Sequence, residues 1–103
     1  MFDLKKAMEM KKKMDEIQAR LGAITVEGLA GDGKYSVKAT ITATRIVKAI
    51  EISDGLMESG DKEHLEDLML LAIERGMEKA QQVADAEARS AALSGGLGGL
   101  FGS

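Results

Sequence analysis

The chain of 103 residues contains no cysteine, no proline and no tryptophan, and aromatic residues make up only 3% of it. Without cysteine it can form neither a disulfide framework nor a thiolate metal site, and it has no nucleophilic thiol. So few aromatic side chains exclude the stacking platforms that hold single-stranded nucleic acids. The sequence also lacks any apolar run near the roughly 20 residues that a membrane span needs, and its start, MFDLKKAMEM, lacks the apolar stretch of a signal peptide. We therefore expect a cytoplasmic chain with no membrane partner.

The composition is that of a folded chain. Hydrophobic residues account for 45% and charged residues for 30% of the sequence, a balance typical of soluble globular proteins. The length suits one small domain. We predict a single α+β domain over residues 1–93 and a flexible, glycine-rich tail over residues 94–103, because ordering SGGLGGLFGS would cost too much backbone entropy.

Apolar residues near the N-terminus follow the alternating spacing of three and four that places side chains on one side of a helix. We predict a helix from about Asp3 to Leu21, ended by Gly22. Its length of about 28 Å exceeds what so small a domain needs for its own core, so part of this apolar face should need a partner. The N-terminal seam, as we call this face, comprises Ala7, Met10, Met14, Ile17, Leu21 and Ile24.

Beyond Ile24 the apolar period changes to two, which predicts β-strands. The second strand alternates through Tyr35, Val37, Ala39 and Ile41, and a third runs roughly from Arg45 to Ile52. Three consecutive strands with short connections favour an antiparallel meander that exposes one polar face. The residues expected to break the first strand from the second are Gly28, Gly31, Asp32 and Gly33.

A second long helix is predicted from Asp61, its expected N-cap, to about Ser90. Residues 54–60 before it are expected to form a loop. Because the two apolar helix faces exceed what a three-stranded sheet can cover, we predict dimerisation. The apolar stripe of this second helix is formed by Leu65, Met69, Ala72, Gly76, Ala80 and Val83.

No motif predicts an enzyme, a cofactor or a small-molecule substrate. His64 is the sole histidine and lies in an acidic first helical turn, so we interpret it as a surface residue rather than as part of a catalytic triad. The acids around it lack the helical Glu-x-x-His pair of a carboxylate metal site. The glycines at 28, 31 and 33 match neither phosphate-loop pattern.

Charge is distributed unevenly along the chain. The formal net charge is −3, but residues 1–23 carry +2, residues 24–53 carry +1 and residues 54–103 carry −6. In the heptad frame of the N-terminal seam, the bases take positions e, f and g and are expected to lie on the flank opposite the acids. Such a stripe can neutralise successive phosphates of a duplex without reading its sequence. The alternative is ordinary solubilisation, with Glu9–Lys13 and Glu16–Arg20 as ion pairs along the helix. The bases are Lys5, Lys6, Lys11, Lys12, Lys13 and Arg20.

Two segments, VKATITATRIVKAIEIS at 37–53 and DKEHLEDLMLLAIERGMEKA at 61–80, resemble the YbaB/EbfC family of small bacterial nucleoid-associated proteins. The resemblance spans roughly Met1 to Val83, and the Leu-Glu-Asp-Leu helix start is its most specific part. One departure is Thr42-Ala43-Thr44, which stands where relatives have an Asn-Gly type turn and predicts a wider hairpin.

The resemblance implies an α-β-β-β-α fold in an intertwined homodimer whose terminal helices project and contact DNA, with neither enzymatic activity nor a cofactor. Our hypothesis is a nucleoid-associated protein that binds duplex DNA through the six bases above, with a role in nucleoid organisation and gene regulation. The alternative is a protein-binding adaptor that uses its apolar seams. The predicted dimer interface comprises Met10, Met14, Ile17, Leu21, Leu65 and Met69.

Overall fold

The computed structural model describes residues 3–93, so the predicted tail at 94–103 lies outside the described residues. The fold is α+β, as predicted, with one short helix that the sequence did not indicate. In chain order the elements are α1 (Leu4–Ala23), β1 (Thr25–Asp32), β2 (Tyr35–Thr42), β3 (Val47–Ile52), α2 (Asp54–Ser59) and α3 (Lys62–Leu93).

Helix α1 begins where the sequence predicts and ends slightly later. The carboxylate of Asp3 accepts hydrogen bonds from the backbone N–H groups of Lys5 and Lys6, at 3.1 and 3.3 Å, and so caps the helix. Gly22 was expected to end the helix, and that prediction is wrong, because Gly22 is helical and the helix runs to Ala23. The chain leaves the helix at Ile24, whose extended backbone (φ −91°, ψ 129°) leads directly into the sheet.

The three strands form the predicted antiparallel meander in the order β1-β2-β3. The expected break at Gly28 and Gly31 is wrong, since both lie within β1 and pair with Ala39 and Ser36. The turn itself begins only at Gly33. Gly28 does not interrupt β1. Glycine is required there for packing, because a Cβ would collide with the backbone of α3 at Ala72 and Gly76.

The hairpin between β2 and β3 is wider than a two-residue turn, as predicted. Strand β3 begins at Val47 rather than at Arg45, because Arg45 and Ile46 belong to the turn. The register shifts at Thr40/Ile41, so that Ile41 lies opposite Val47. The sequence pattern did not separate this turn from the strand because Ile46 and Val47 are both apolar.

The core lies between the sheet and α3. Ala72, Gly76 and Ala80 are buried along one face of α3, and their small size lets the helix backbone approach the sheet. Residues 54–60 were predicted to form a loop. That prediction is wrong, because helix α2 occupies most of this segment. Its Leu56 is only 1% exposed and joins the core beside Val37. Burial of this one side chain stabilises a helix too short for a visible sequence period.

The opposite face of the sheet is polar, as predicted. Lys38 on the central strand contacts Glu51 of β3 at 3.1 Å and Glu27 of β1 at 3.4 Å. These hydrogen bonds and charges, first from Glu51 and then from Glu27, raise the pKa of Lys38 above its ordinary value. The three side chains therefore tie all three strands together across the solvent-exposed face.

The molecule is elongated. Its extents are 65 × 23 × 18 Å and its radius of gyration is 19.1 Å, whereas a compact domain of this length has a radius of about 13 Å. Within residues 3–93, none of the helices combines the length and apolar character required to cross a membrane.

Candidate nucleic-acid interface

Helix α1 presents all six bases to solvent. Each of them is exposed, and Lys5 and Arg20 stand about 22 Å apart along an unbroken helix at 1.5 Å per residue. A spacing of this kind suits contacts with several phosphates, which occur every ~1.7 Å of duplex axis when both strands are counted. The helix itself therefore fixes the geometry of the charges.

Five of the six bases share one face of α1. At 3.6 residues per turn they fall within an arc of about 120°, and Lys11 lies outside it, beside the N-terminal seam. The arc borders the seam on one side, because Lys6 and Ile17 are neighbours around the helix. This basic face consists of Lys5, Lys6, Lys12, Lys13 and Arg20.

The acids of α1 are not on the opposite flank. Heptad position c lies between f and g on a helix, so Glu9 and Glu16 lie within the basic face and Asp15 lies outside it. The expected separation of bases and acids is therefore wrong. The basic face keeps a net positive charge because its five bases outnumber these two carboxylates.

The bases of α1 are not paired with the acids of the same helix in the way that the solubilisation alternative requires. In the range 3–93, no contact within 4.0 Å joins Glu9 to Lys13 or Glu16 to Arg20. Arg20 instead contacts Glu87 of α3 at 3.3 Å. This contact between exposed groups ties the C-terminal end of α1 to the distal part of α3.

Helix α1 is anchored at one end only. Along the N-terminal seam, Leu21 is 5% exposed and Ile17 is half-buried, whereas Met10 is 40% and Met14 is 63% exposed. The C-terminal end of α1 thus packs on the body, and its N-terminal part stands away from it. Leu21 is already buried within its own chain, which leaves its side chain little surface to offer a partner.

The two edges of the sheet differ. Arg75 and Lys79 of α3 donate hydrogen bonds, both of 2.8 Å, to the carbonyl oxygens of Leu29 and Glu27 on β1. The edge of β1 is thereby covered by cationic side chains, which oppose strand pairing with another chain. Among the described residues the edge of β3 has no such cover, and Val47 on it is 39% exposed.

The flank of α3 away from Arg75 and Lys79 faces β3, because β3 is the strand farthest from β1. Met69, Ile73 and Met77 lie on this flank at helical spacing, and all three are half-buried. The other predicted interface residue on this helix, Leu65, is also half-buried against the core. The assignment of Leu65 and Met69 to a dimer interface stays a prediction.

His64 lies on the surface, as the sequence indicated. Its backbone N–H donates to the Asp61 carboxylate at 3.0 Å, which confirms Asp61 as a cap of α3. The centroid of its ring lies 6.4 Å from that of Tyr35. Among the residues that the structure describes, no group of three or more His, Cys, Asp or Glu side chains could hold a metal ion.

Sequence reasoning missed Arg45 as a candidate site residue. The structure places it in the β2–β3 turn with φ 68°, where its guanidinium donates to Gln81 of α3 at 2.7 Å. A turn of this kind ordinarily has glycine or asparagine at the positive-φ position, and neither is present to mark it. The signal available in the sequence was only the absence of an Asn-Gly pair.

Comparisons with known proteins agree on one family. The model of the YbaB/EbfC DNA-binding family matches residues 1–97. A nucleoid-associated protein of Chloroflexus aurantiacus is 43% identical over 95 residues, which cover 92% of this chain and 91% of the relative. A nucleoid-associated protein of Bradyrhizobium diazoefficiens is 38% identical over 102 residues, covering 96% of this chain and 92% of the relative.

A solved structure supports the fold. The crystal structure of an uncharacterized protein from Helicobacter pylori matches with a TM-score of 0.70 over 87% of this chain and 97% of that chain, at 18% sequence identity. The likeness at this level of identity concerns the arrangement of helices and strands only.

Proposed function

The chain belongs to the YbaB/EbfC DNA-binding family, and on that premise we propose that it binds duplex DNA as a homodimer, mainly through phosphate contacts from the basic face of α1. The names of its relatives support association with the bacterial nucleoid, and we further propose a cytoplasmic location and a role in nucleoid organisation and gene regulation.

The observation that carries this proposal is the arrangement of charge on α1. Five exposed bases occupy one face of a helix that is anchored only at its C-terminal end, and the apolar seam lies on another face. Most of the bases therefore stand on a surface distinct from the seam, which leaves them available to the phosphates of a duplex. The net charge of −3 does not oppose this arrangement, because the acids are concentrated after residue 53.

A salt titration of binding to random-sequence duplex DNA tests the proposal. We expect the logarithm of affinity to fall linearly with the logarithm of salt concentration, with a slope of about −0.9 per contacted phosphate. Fluorescence anisotropy of a labelled duplex measures it. Binding that is absent at low salt, or that does not change with salt, contradicts the proposed phosphate contacts.

The uncovered edge of the sheet supports the homodimer. Helix α3 lies across β1 and β2, and Ile50 and Ile52 of β3 remain only half-buried, as do the residues of the Met69–Met77 flank. A second copy of the chain can bury this apolar surface together with the exposed part of the N-terminal seam. The gain would be about 25 cal/mol per Å² of apolar area removed from water.

Met14→Asp tests whether the N-terminal seam takes part in the dimer. Met14 is 63% exposed in the single chain, so the change should leave the fold intact and weaken association, because a carboxylate buried without a partner costs several kcal/mol. Met8→Asp is the matched control, since Met8 is also 63% exposed on α1 but lies off the seam. Light scattering across micromolar concentrations measures the mass of each variant. If the two variants dimerise equally, Met14 is not part of the dimer interface.

The adaptor alternative has no support in the comparisons, since the matching family is described by DNA binding. The exposed apolar surfaces that suggested an adaptor are accounted for by association of two copies. An adaptor would also keep partner binding after removal of the α1 charges, which the variants in the Discussion address.

A further inference from the structure

The β2–β3 turn contains a backbone conformation that binding through α1 leaves unexplained. Arg45, with φ 68°, is the one non-glycine residue with positive φ in the part of the chain described here, residues 3–93. In this left-handed region the Cβ of an L-residue crowds its own carbonyl oxygen, so glycine or asparagine would be accommodated more easily. What arginine adds at this position is an exposed guanidinium.

The turn holds Arg45 in a defined place. The backbone N–H of Arg45 donates to the carbonyl oxygen of Thr42 at 2.8 Å, and that of Ile46 donates to the Thr42 hydroxyl at 3.1 Å. The Thr42 and Thr44 hydroxyls are 2.7 Å apart and hydrogen-bonded. These bonds keep the strained residue from relaxing, and they fix the direction in which its side chain leaves the backbone.

The charge of Arg45 is not neutralised by a direct ion pair. Its Nη1 donates to the neutral side-chain oxygen of Gln81 at 2.7 Å, and Gln81 in turn donates to Asp85 at 2.8 Å. Over residues 3–93, no carboxylate lies within 4.0 Å of the Arg45 guanidinium. A guanidinium has five N–H donors, so this geometry leaves donors and charge available on an exposed side chain.

The turn lies against the base of α1. The backbone N–H of Ala43 donates to the carbonyl oxygen of Ile24 at 2.9 Å, directly after α1 ends. Arg20, the last base of the basic face, lies four residues before Ile24, and it contacts α3 at Glu87. Arg45 contacts the same distal part of α3 through Gln81. Both arginines thus reach from the region where α1 joins the body to the C-terminal half of α3.

We propose that the β2–β3 turn is a second duplex-contacting element, in which Arg45 binds a backbone phosphate where DNA held along α1 meets the sheet. The guanidinium suits this task because its planar donors match two phosphate oxygens at once. A phosphate contact would explain why a positively charged side chain stands at this strained backbone position. This inference rests on the proposed function and adds a contact residue outside the helix.

Arg45→Asn tests the contact, because asparagine tolerates positive φ while the guanidinium is lost together with its charge and its hydrogen bond to Gln81. We expect duplex affinity to fall about tenfold and the salt slope to become shallower by about 0.9 for each phosphate that the variant no longer neutralises. Arg45→Lys retains a charge and should recover part of the affinity. Gln81→Ala is the matched control, since it removes the hydrogen bond to α3 and leaves Arg45 in place.

The outcomes are distinct. If Arg45→Asn binds duplex DNA with wild-type affinity and salt slope, the inference is overturned, and the proposed function is unaffected. An equal fall in affinity in Arg45→Asn and Gln81→Ala, with an equal fall in Tm, shows that Arg45 only fastens the turn to α3, and it also overturns the inference. Absence of salt-dependent binding in the wild-type chain contradicts the proposed function itself. Weaker binding and a shallower slope in Arg45→Asn, with Gln81→Ala unchanged, support the contact.

Discussion

Reversing Lys11, Lys12 and Lys13 to glutamate should abolish duplex binding while the chain remains folded and dimeric. All three side chains are exposed on α1, and Met10, Met14 and Ile17 of the N-terminal seam are untouched. In a dimer the change removes six positive charges and adds six negative ones. Affinity at moderate salt should fall by about a thousandfold or more, because phosphate neutralisation dominates binding that does not read sequence.

Single variants separate the basic face from total charge. Lys12→Glu should weaken binding much more than Lys11→Glu, since Lys12 lies on the basic face and Lys11 lies beside the seam. A double variant, Lys12→Glu with Lys13→Glu, is compared with a control that changes the charge equally, Lys34→Glu with Lys62→Glu. The control is suitable because Lys34 and Lys62 are exposed and lie outside α1. Anisotropy titrations at several salt concentrations compare them, and circular dichroism verifies the fold.

Two results would count against this assignment. A folded triple variant that binds duplex DNA with wild-type affinity and salt slope shows that the α1 bases do not contact phosphates. An equal fall in affinity in both pairs shows that only the net charge of the chain matters, without a defined basic face.

Gly28→Ala should strongly destabilise the fold. Gly28 lies in β1 under α3, and an added Cβ would collide with the carbonyl oxygen of Ala72 and the amide of Gly76, and would lie 2.8 Å from the Gly76 Cα. These are backbone atoms that cannot rotate away, so α3 itself must shift. We expect the free energy of unfolding to fall by about 3 kcal/mol, and hence a Tm lower by about 10 °C or more.

Gly22→Ala is the matched control for this change. Gly22 lies near the end of α1, and no heavy atom would come within 4 Å of an added Cβ. Alanine should stabilise a helical position by about 0.5–1 kcal/mol relative to glycine. Urea and thermal unfolding followed by circular dichroism measure both. Wild-type stability in Gly28→Ala would mean that α3 does not pack on β1 at this distance.

Local features predicted much of the fold. The seam spacing predicted α1, the period of two predicted the meander, and the side chain of Asp61 caps α3 as expected. These features depend on neighbours within a few residues, so they can be recognised in a sequence without knowledge of distant contacts. The resemblance of residues 37–53 and 61–80 to a known family predicted the overall order of helices and strands, and the family model confirms that resemblance.

The errors occurred where a distant segment determines the local conformation. Gly28 resembles a turn glycine, yet it continues β1 because α3 requires its lack of a side chain. Helix α2 spans only six residues, and it forms because Leu56 is buried in a core assembled by the sheet and α3. Gly28 packs against Gly76, and Leu56 shares the core with Val37, so in both cases the deciding contact joins residues too far apart to be inferred from local pattern.

For the candidate site, the amino-acid sequence is sufficient to identify which residues carry positive charge and to show that a helix places most of them on one face. Packing between distant segments anchors this helix at Leu21 and leaves it free at Met14, brings Arg20 to Glu87, and places Arg45 at the base of the helix. The physical reason is the range of the interactions. Helical periodicity follows from backbone hydrogen bonds four residues apart, whereas exposure and the gathering of charges depend on packing between segments separated by tens of residues.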